Sequence, residues 1–118
     1  MNPEPSKVIG DRAERQAKDF LIANGLVFVS QNYRCKQGEI DLIFRDGDTW
    51  VFVEVKYRSQ IAHGTPEEFF TSIKQRRVLS AVKLFLLDNQ LNEFHMSIRI
   101  DVIAIQGDAL KWFKNVTG

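Results

Sequence analysis

Residues 50–57, Trp-Val-Phe-Val-Glu-Val-Lys-Tyr, constrain the fold more than any other stretch of the chain. Successive side chains on a strand point to opposite faces, so Val51, Val53, Val55 and Tyr57 line one side and Trp50, Phe52, Glu54 and Lys56 the other. Both sides begin apolar, the pattern of a central strand covered on both faces. The second side nevertheless carries Glu54 and Lys56. Charges taken out of water are costly unless they are paired or bind a metal ion, so these two need partners.

The preceding stretch supplies one. Residues 39–45 read as a strand, and Asp46-Gly47-Asp48 between the two strands is a hairpin signal. If Asp46 and Gly47 form the loop, Arg45 pairs with Asp48, and Asp41 falls opposite Phe52, one diagonal step from Glu54 on the same face. A loop of four residues would set Asp41 directly opposite Glu54, whereas a slip of one residue would turn it to the other face. The favoured turn gathers Asp41, Glu54 and Lys56 on one face, with Glu39 close by.

The other elements frame this hairpin. Ala13, Ala17, Phe20 and Leu21 recur at helical spacing between Gly10 and Asn24, and Gly25 stands where a left-handed stop belongs. Glu14 lies at the edge of that apolar stripe, while Asp11, Arg15 and Lys18 point to solvent. A first strand is expected at Leu26 to Asn32. Thr65-Pro66-Glu67-Glu68 has the form of a capping box and predicts a second helix running from Thr65 to Asp88. Ser97 to Ile105 alternates as a strand, with Arg99 and Asp101 sharing a face and forming a pair. A short strand at Leu110 to Phe113 closes the chain. The order αβββαβ, with an optional last strand, predicts an α/β fold with a central mixed sheet flanked by helices.

The chain has 118 residues, enough for one core and too few for two ordinary domains. Residues 1–7, with Pro3 and Pro5, are expected to be a flexible arm, and 8–118 a single domain. With 16 Lys+Arg against 15 Asp+Glu, the net charge of +1 excludes a globally basic coat and an acidic tail. It does not argue against a polyanionic partner, because several of the acids belong to the candidate site. Cys35 is the single cysteine, which excludes an intrachain disulfide and a Cys-based zinc site. It has no His or second Cys nearby to activate it. The sequence shows no signal peptide and no apolar run long enough to span a bilayer, so a cytoplasmic protein without membrane contact is expected.

Two carboxylates beside a lysine form a recognisable chemical set. Carboxylate oxygens suit a hard cation such as Mg²⁺, which keeps waters for substrate phosphates to displace. The ion activates water and neutralises charge on a phosphoryl oxygen, while a lysine orients or deprotonates the attacking water. Asp41, Glu54 and Lys56 therefore point to metal-assisted phosphodiester hydrolysis.

Asp41, a gap of twelve residues, then Glu54-Val55-Lys56 resembles the Asp…Glu-x-Lys motif of the restriction-endonuclease-like PD-(D/E)xK superfamily, whose common core is also αβββαβ. More closely, Gly10, Glu14 and Ala17, the run Gly38-Glu39-Ile40-Asp41-Leu42-Ile43, the run Phe52-Val53-Glu54-Val55-Lys56-Tyr57-Arg58, and Gly64 and Lys74 are similar to the pattern of the bacterial YraN family. The resemblance spans residues 8–116. It implies an endonuclease related to archaeal Holliday-junction resolvases, dimers that act on four-way DNA junctions with Mg²⁺. It also implies Asp41 and Glu54 as ligands of Mg²⁺ or Mn²⁺, Lys56 as the water-positioning lysine, Glu14 as an outer or second-metal carboxylate, and Arg15 as its companion arginine. Ile40 stands where the superfamily often has Pro, and Glu39 adds a fourth acid.

Phosphate contacts are expected from Arg15, Arg34, Lys36, Arg58, Lys74, Arg76 and Arg77. A homodimer with C2 symmetry would match a symmetric junction. Trp50 and Phe52 are expected in the core, and His63 and His95 in solvent. The rival to a nuclease is a nucleic-acid-binding or assembly module that keeps the fold and cleaves little or nothing. An RNA substrate is a weaker alternative.

Overall fold

The computed structural model describes residues 6–57, 70–92 and 95–117. Its elements are α1 (Ser6–Ala23), β1 (Val27–Cys35), β2 (Gly38–Asp46), β3 (Thr49–Tyr57), α2 (Ser72–Asp88), β4 (Ser97–Gln106) and β5 (Ala109–Phe113). The strands form one sheet in the order β1-β2-β3-β4-β5. β3 and β4 are parallel and the other neighbours antiparallel, so this is an α/β fold with a mixed sheet, compatible with the restriction-endonuclease-like core.

The two faces of the sheet carry separate cores. Val51 and Val53 of β3, with Leu42, Phe44, Ile103 and Ile105, pack against Ala13, Ala17 and Leu21 of α1. Phe52, with Ile43, Ile100 and Val102, packs against Val78, Ala81, Val82 and Phe85 of α2. β3 is thus covered on both sides, as its apolar pattern requires.

α1 begins at Ser6, so Ser6 and Lys7 are helical. It ends in a Schellman motif: Gly25, at φ +91°, donates to Ile22 O at 3.0 Å and Leu26 N–H donates to Leu21 O at 3.1 Å. Leu21 and Leu26, which the motif brings together, both join the core under α1.

Three features depart from expectation. The β2–β3 loop is Gly47-Asp48 rather than Asp46-Gly47, because Asp46 pairs with Thr49 and Arg45 with Trp50. Gly47 has φ +61°, which the first central residue of a primed hairpin turn needs and aspartate adopts with strain. This register moves Asp41 from the row of Phe52 to that of Glu54, the arrangement expected from the longer loop. Secondly, α2 starts at Ser72, with Thr71 as N-cap accepting from Lys74 N–H at 3.4 Å. Phe70, 1% exposed, is inserted in the core, and neither it nor the extended Thr71 is helical, so the expected run to Asp88 is broken there. The Thr65 start itself lies outside the described residues.

Thirdly, Asp101 does more than pair with Arg99. It is completely buried and accepts from Arg99 Nε at 3.1 Å, Trp112 Nε1 at 2.9 Å and Asn115 N–H at 2.9 Å. Arg99 reaches on to Asp46 at 2.9 Å. The network ties β4 to β5, to the C-terminal segment and to the turn end of the β2–β3 hairpin.

Candidate active site

Asp41 sits where β2 loses its regularity. The β1–β2 ladder pairs Gln31 with Leu42 and Tyr33 with Ile40, and omits the step between, where Asn32 has φ +54°. On the other side, the β2–β3 ladder ends at Leu42–Val53. Ile40 and Ile43 both join the core under α2, whereas Leu42 and Phe44 join the one under α1. Strict alternation cannot put residues three apart on one face, so the pleat skips a step at Asp41. Its carboxylate turns toward β3, and Oδ2 accepts the Val55 N–H at 2.8 Å. The side chain thus supplies an acceptor beyond the point where the ladder stops.

Glu54 and Lys56 are two residues apart on β3 and share a face, with Glu54 Oε1 lying 3.5 Å from Lys56 Nζ. Glu54 is 8% exposed, and its Oε2 is buried with no hydrogen-bond partner among the described residues. Burial, and then the neighbouring charge of Asp41, pushes the Glu54 carboxyl up to about 8 despite Lys56. Asp41 is also raised, mainly by burial and against the pull of the Val55 N–H and Lys56. Glu14, half-buried on α1, is pushed up to about 7 by burial, then by Asp41 and Asp11. Lys56 alone is therefore not enough to keep all of these acids ionised.

Among the described residues, no three His, Cys, Asp or Glu converge on one point as a ready metal cage. Asp41 and Glu54 form a pair, and Glu14 acts on Asp41 through its charge. That donor set fits Mg²⁺, which binds through one or two carboxylates and completes its shell with water and substrate phosphate. The partnerless Glu54 Oε2 is the atom such an ion would satisfy.

Two clefts lie around this pair, one lined by Glu54 and the other by Glu14. One, of about 150 Å³, is lined by Glu39, Glu54 and Lys56 together with Lys74 and Arg77 of α2. Next to it, a Cβ at Gly38 would collide with the carbonyl oxygen of Arg77, so only glycine lets β2 come this close to α2. The other, of about 570 Å³, runs between α1 and β1 and includes Glu14, Arg15 and Arg34.

Among the remaining candidates, Arg34 is exposed and 3.7 Å from Glu39, and Lys36 is exposed in the β1–β2 turn. Arg76 is exposed on α2 and does not line the smaller cleft. Arg58 and His63 lie outside the described residues, and His95 is exposed. Phe52 is fully buried, and Trp50 packs on the core under α2. Cys35 Sγ donates to Gly38 O at 3.3 Å, a contact that caps the β1–β2 turn.

Lys7 and Lys18 escape a reading that assigns the first to an arm and the second to solvent. Both line the larger cleft, and Lys18 Nζ lies 3.9 Å from the centre of the Phe28 ring. The spacing of Lys7, Asp11, Glu14, Arg15 and Lys18, which is one stripe of a helix, is the signal that marks them.

The profile of the uncharacterised protein family UPF0102 matches residues 13–105. A UPF0102 protein of Aeromonas hydrophila is 45% identical over 111 residues, covering 94% of this chain and 84% of the relative. One from Vibrio cholerae is 44% identical over 108 residues, covering 90% and 88%. One from Aliivibrio salmonicida is 42% identical over 118 residues, covering 98% and 96%.

Proposed function

The chain belongs to the UPF0102 family, and we propose that it is a metal-dependent endonuclease of the restriction-endonuclease-like superfamily, hydrolysing phosphodiester bonds in branched or otherwise structured DNA. The observation that carries this reading is Glu54: a buried carboxylate with one oxygen partnerless, beside a second carboxylate and a lysine. A structural ion pair would need only one acid for Lys56. A second, half-buried acid beside it raises the energy of the ionised pair unless a cation or a proton joins it.

Asp41 and Glu54 would hold Mg²⁺ or Mn²⁺, which supplies Lewis acidity toward the phosphoryl group and the attacking water. Asp41 is kept in place by the Val55 N–H through Oδ2, and its second oxygen would serve as the ligand. Lys56, 3.5 Å from Glu54, donates to the water or to a phosphoryl oxygen at the same point. Lys74 and Arg77 face this position across the smaller cleft and offset the charge of the phosphodiester. Glu14 adds negative field from the other side and favours retention of the cation. A C2 dimer acting in the cytoplasm accords with a symmetric junction as substrate.

A second reading, a DNA-binding or assembly module with little cleavage, is favoured by the absence of a convergent three-acid group among the described residues. The test is nicking of junction, flap, single-stranded and linear DNA with Mg²⁺ or Mn²⁺, beside Glu54→Ala and Lys56→Ala. Cleavage abolished in both variants supports the nuclease. Cleavage unchanged in both removes the site, and binding without cleavage by the wild type supports the module.

A further inference from the structure

We propose that the groove between α1 and β1 is the track on which the sugar-phosphate backbone of DNA lies as it enters the site, held without reading its bases. This rests on the nuclease reading for the substrate, and the groove itself supplies the rest. Four cations line it, Lys7, Arg15 and Lys18 from α1 and Arg34 from β1, against two acids, Asp11 and Glu14. Lys7 and Lys18 are eleven residues apart on one helix, a run of about 16 Å at 1.5 Å per residue, which is long enough for several phosphates.

The lining also determines what the groove holds. Among the described residues it contains no aromatic side chain, so these offer no platform on which bases could stack. The Phe28 ring is covered by Lys18. The neutral members are the amides of Gln31 and Asn32, which hydrogen-bond phosphate or sugar. Asn32 lies at the β1 step that the ladder omits, between Gln31–Leu42 and Tyr33–Ile40 and so across from Asp41, and Glu14 lines the same groove, so the track leads toward Asp41. A strand lying along α1 therefore delivers its phosphodiester to Asp41 and Glu54.

The test is binding of labelled 15-mer single strands and duplexes by full-length protein in Ca²⁺, measured as a function of salt. Lys7→Gln/Arg15→Gln is compared with Lys111→Gln, which changes charge on β5 at the opposite edge of the sheet. Two lost phosphate contacts make the slope of log K against log salt shallower by about 1.4 on a single strand, or about 1.8 on a duplex. Lys111→Gln leaves the slope unchanged, and oligo-dT and oligo-dA bind alike. The single-strand and duplex arms identify which form of the backbone the groove prefers. An unchanged slope in the double variant while the wild type still binds and cuts overturns the groove and leaves the nuclease standing. A shallower slope in a protein that cuts no DNA leaves the groove assigned and removes the nuclease. No binding by the wild type overturns both.

Discussion

Asp41 Oδ2 accepts the main-chain N–H of Val55 at 2.8 Å, and Val55 is the residue next to Glu54. One acid is therefore positioned by the backbone that carries the other, and displacement of either strand moves both.

Replacing Asp41 separates that role from its charge. Asp41→Asn keeps an acceptor for the Val55 N–H and removes a like charge from Glu54, whose carboxyl then falls from about 8 toward its ordinary range. Without divalent ions this variant is expected to be at least as stable as the wild type at pH 8. Asp41→Ala leaves the N–H unpaired and loses about 1–3 kcal/mol. Urea denaturation of both variants checks the contrast.

Stability without metal should fall as pH rises. Glu54 and Glu14 have folded-state values of about 8 and about 7, above the ordinary 4.5, so the native state binds more protons than the unfolded chain between these limits. Their contribution is fully present below about pH 4.5 and is lost as pH passes through 7 and 8. Mg²⁺ replaces the protons and reverses the trend, so it raises Tm more at pH 8 than at pH 5. An ion at a hundred times its Kd adds about 2.7 kcal/mol. Thermal scans with Mg²⁺ or EDTA at the two pH values measure the effect, and an equal Mg²⁺ shift at both would count against the pair as its ligands.

Gly38→Ala introduces a methyl group where the Arg77 carbonyl already sits, so β2 and α2 must separate. Overpacking of this kind costs about 1–3 kcal/mol. The same movement withdraws Lys74 and Arg77 from the smaller cleft. Loss of DNA cleavage with a lowered but still cooperative unfolding midpoint is the expected result.

Asp101→Ala strands Arg99 beside a cavity and leaves Trp112 Nε1 and the Asn115 N–H without their acceptor. Breaking a buried pair by removing one partner costs about 3–5 kcal/mol. Trp112→Phe removes a single neutral donor and costs about 1–3 kcal/mol. Chemical denaturation of the two variants should rank them in that order.

Much of this was readable from residue pattern. The double-sided apolar run of β3, the stop at Gly25 and the Arg99–Asp101 pair follow from local periodicity, and all three are present. The hairpin loop missed by one residue, because Asp-Gly and Gly-Asp are both turn signals and the choice depended on the φ that Gly47 must adopt. The expected cap at Thr65 lies outside the described residues, and the break at Phe70 and the cap at Thr71 depend on the burial of Phe70, a tertiary fact. The broken pleat at Asp41 has no local signature either. It depends on Asn32 of the neighbouring strand taking a left-handed conformation, and on Val55 offering an N–H.

The β2–β3 hairpin is fastened unequally along its length. Its turn end is bolted to β4 through Asp46 and Arg99, and β3 stays paired with β4 as far as Tyr57–Ile105. β2, in contrast, lets go of β3 after Leu42. The hairpin is therefore zipped from its turn to Leu42–Val53, and beyond that rung β2 is held by β1 on one side and by the single Asp41–Val55 bond on the other. One side-chain bond stands in for the missing rung, so the spacing of the two acids is set by a carboxylate and a main-chain N–H rather than by the ladder.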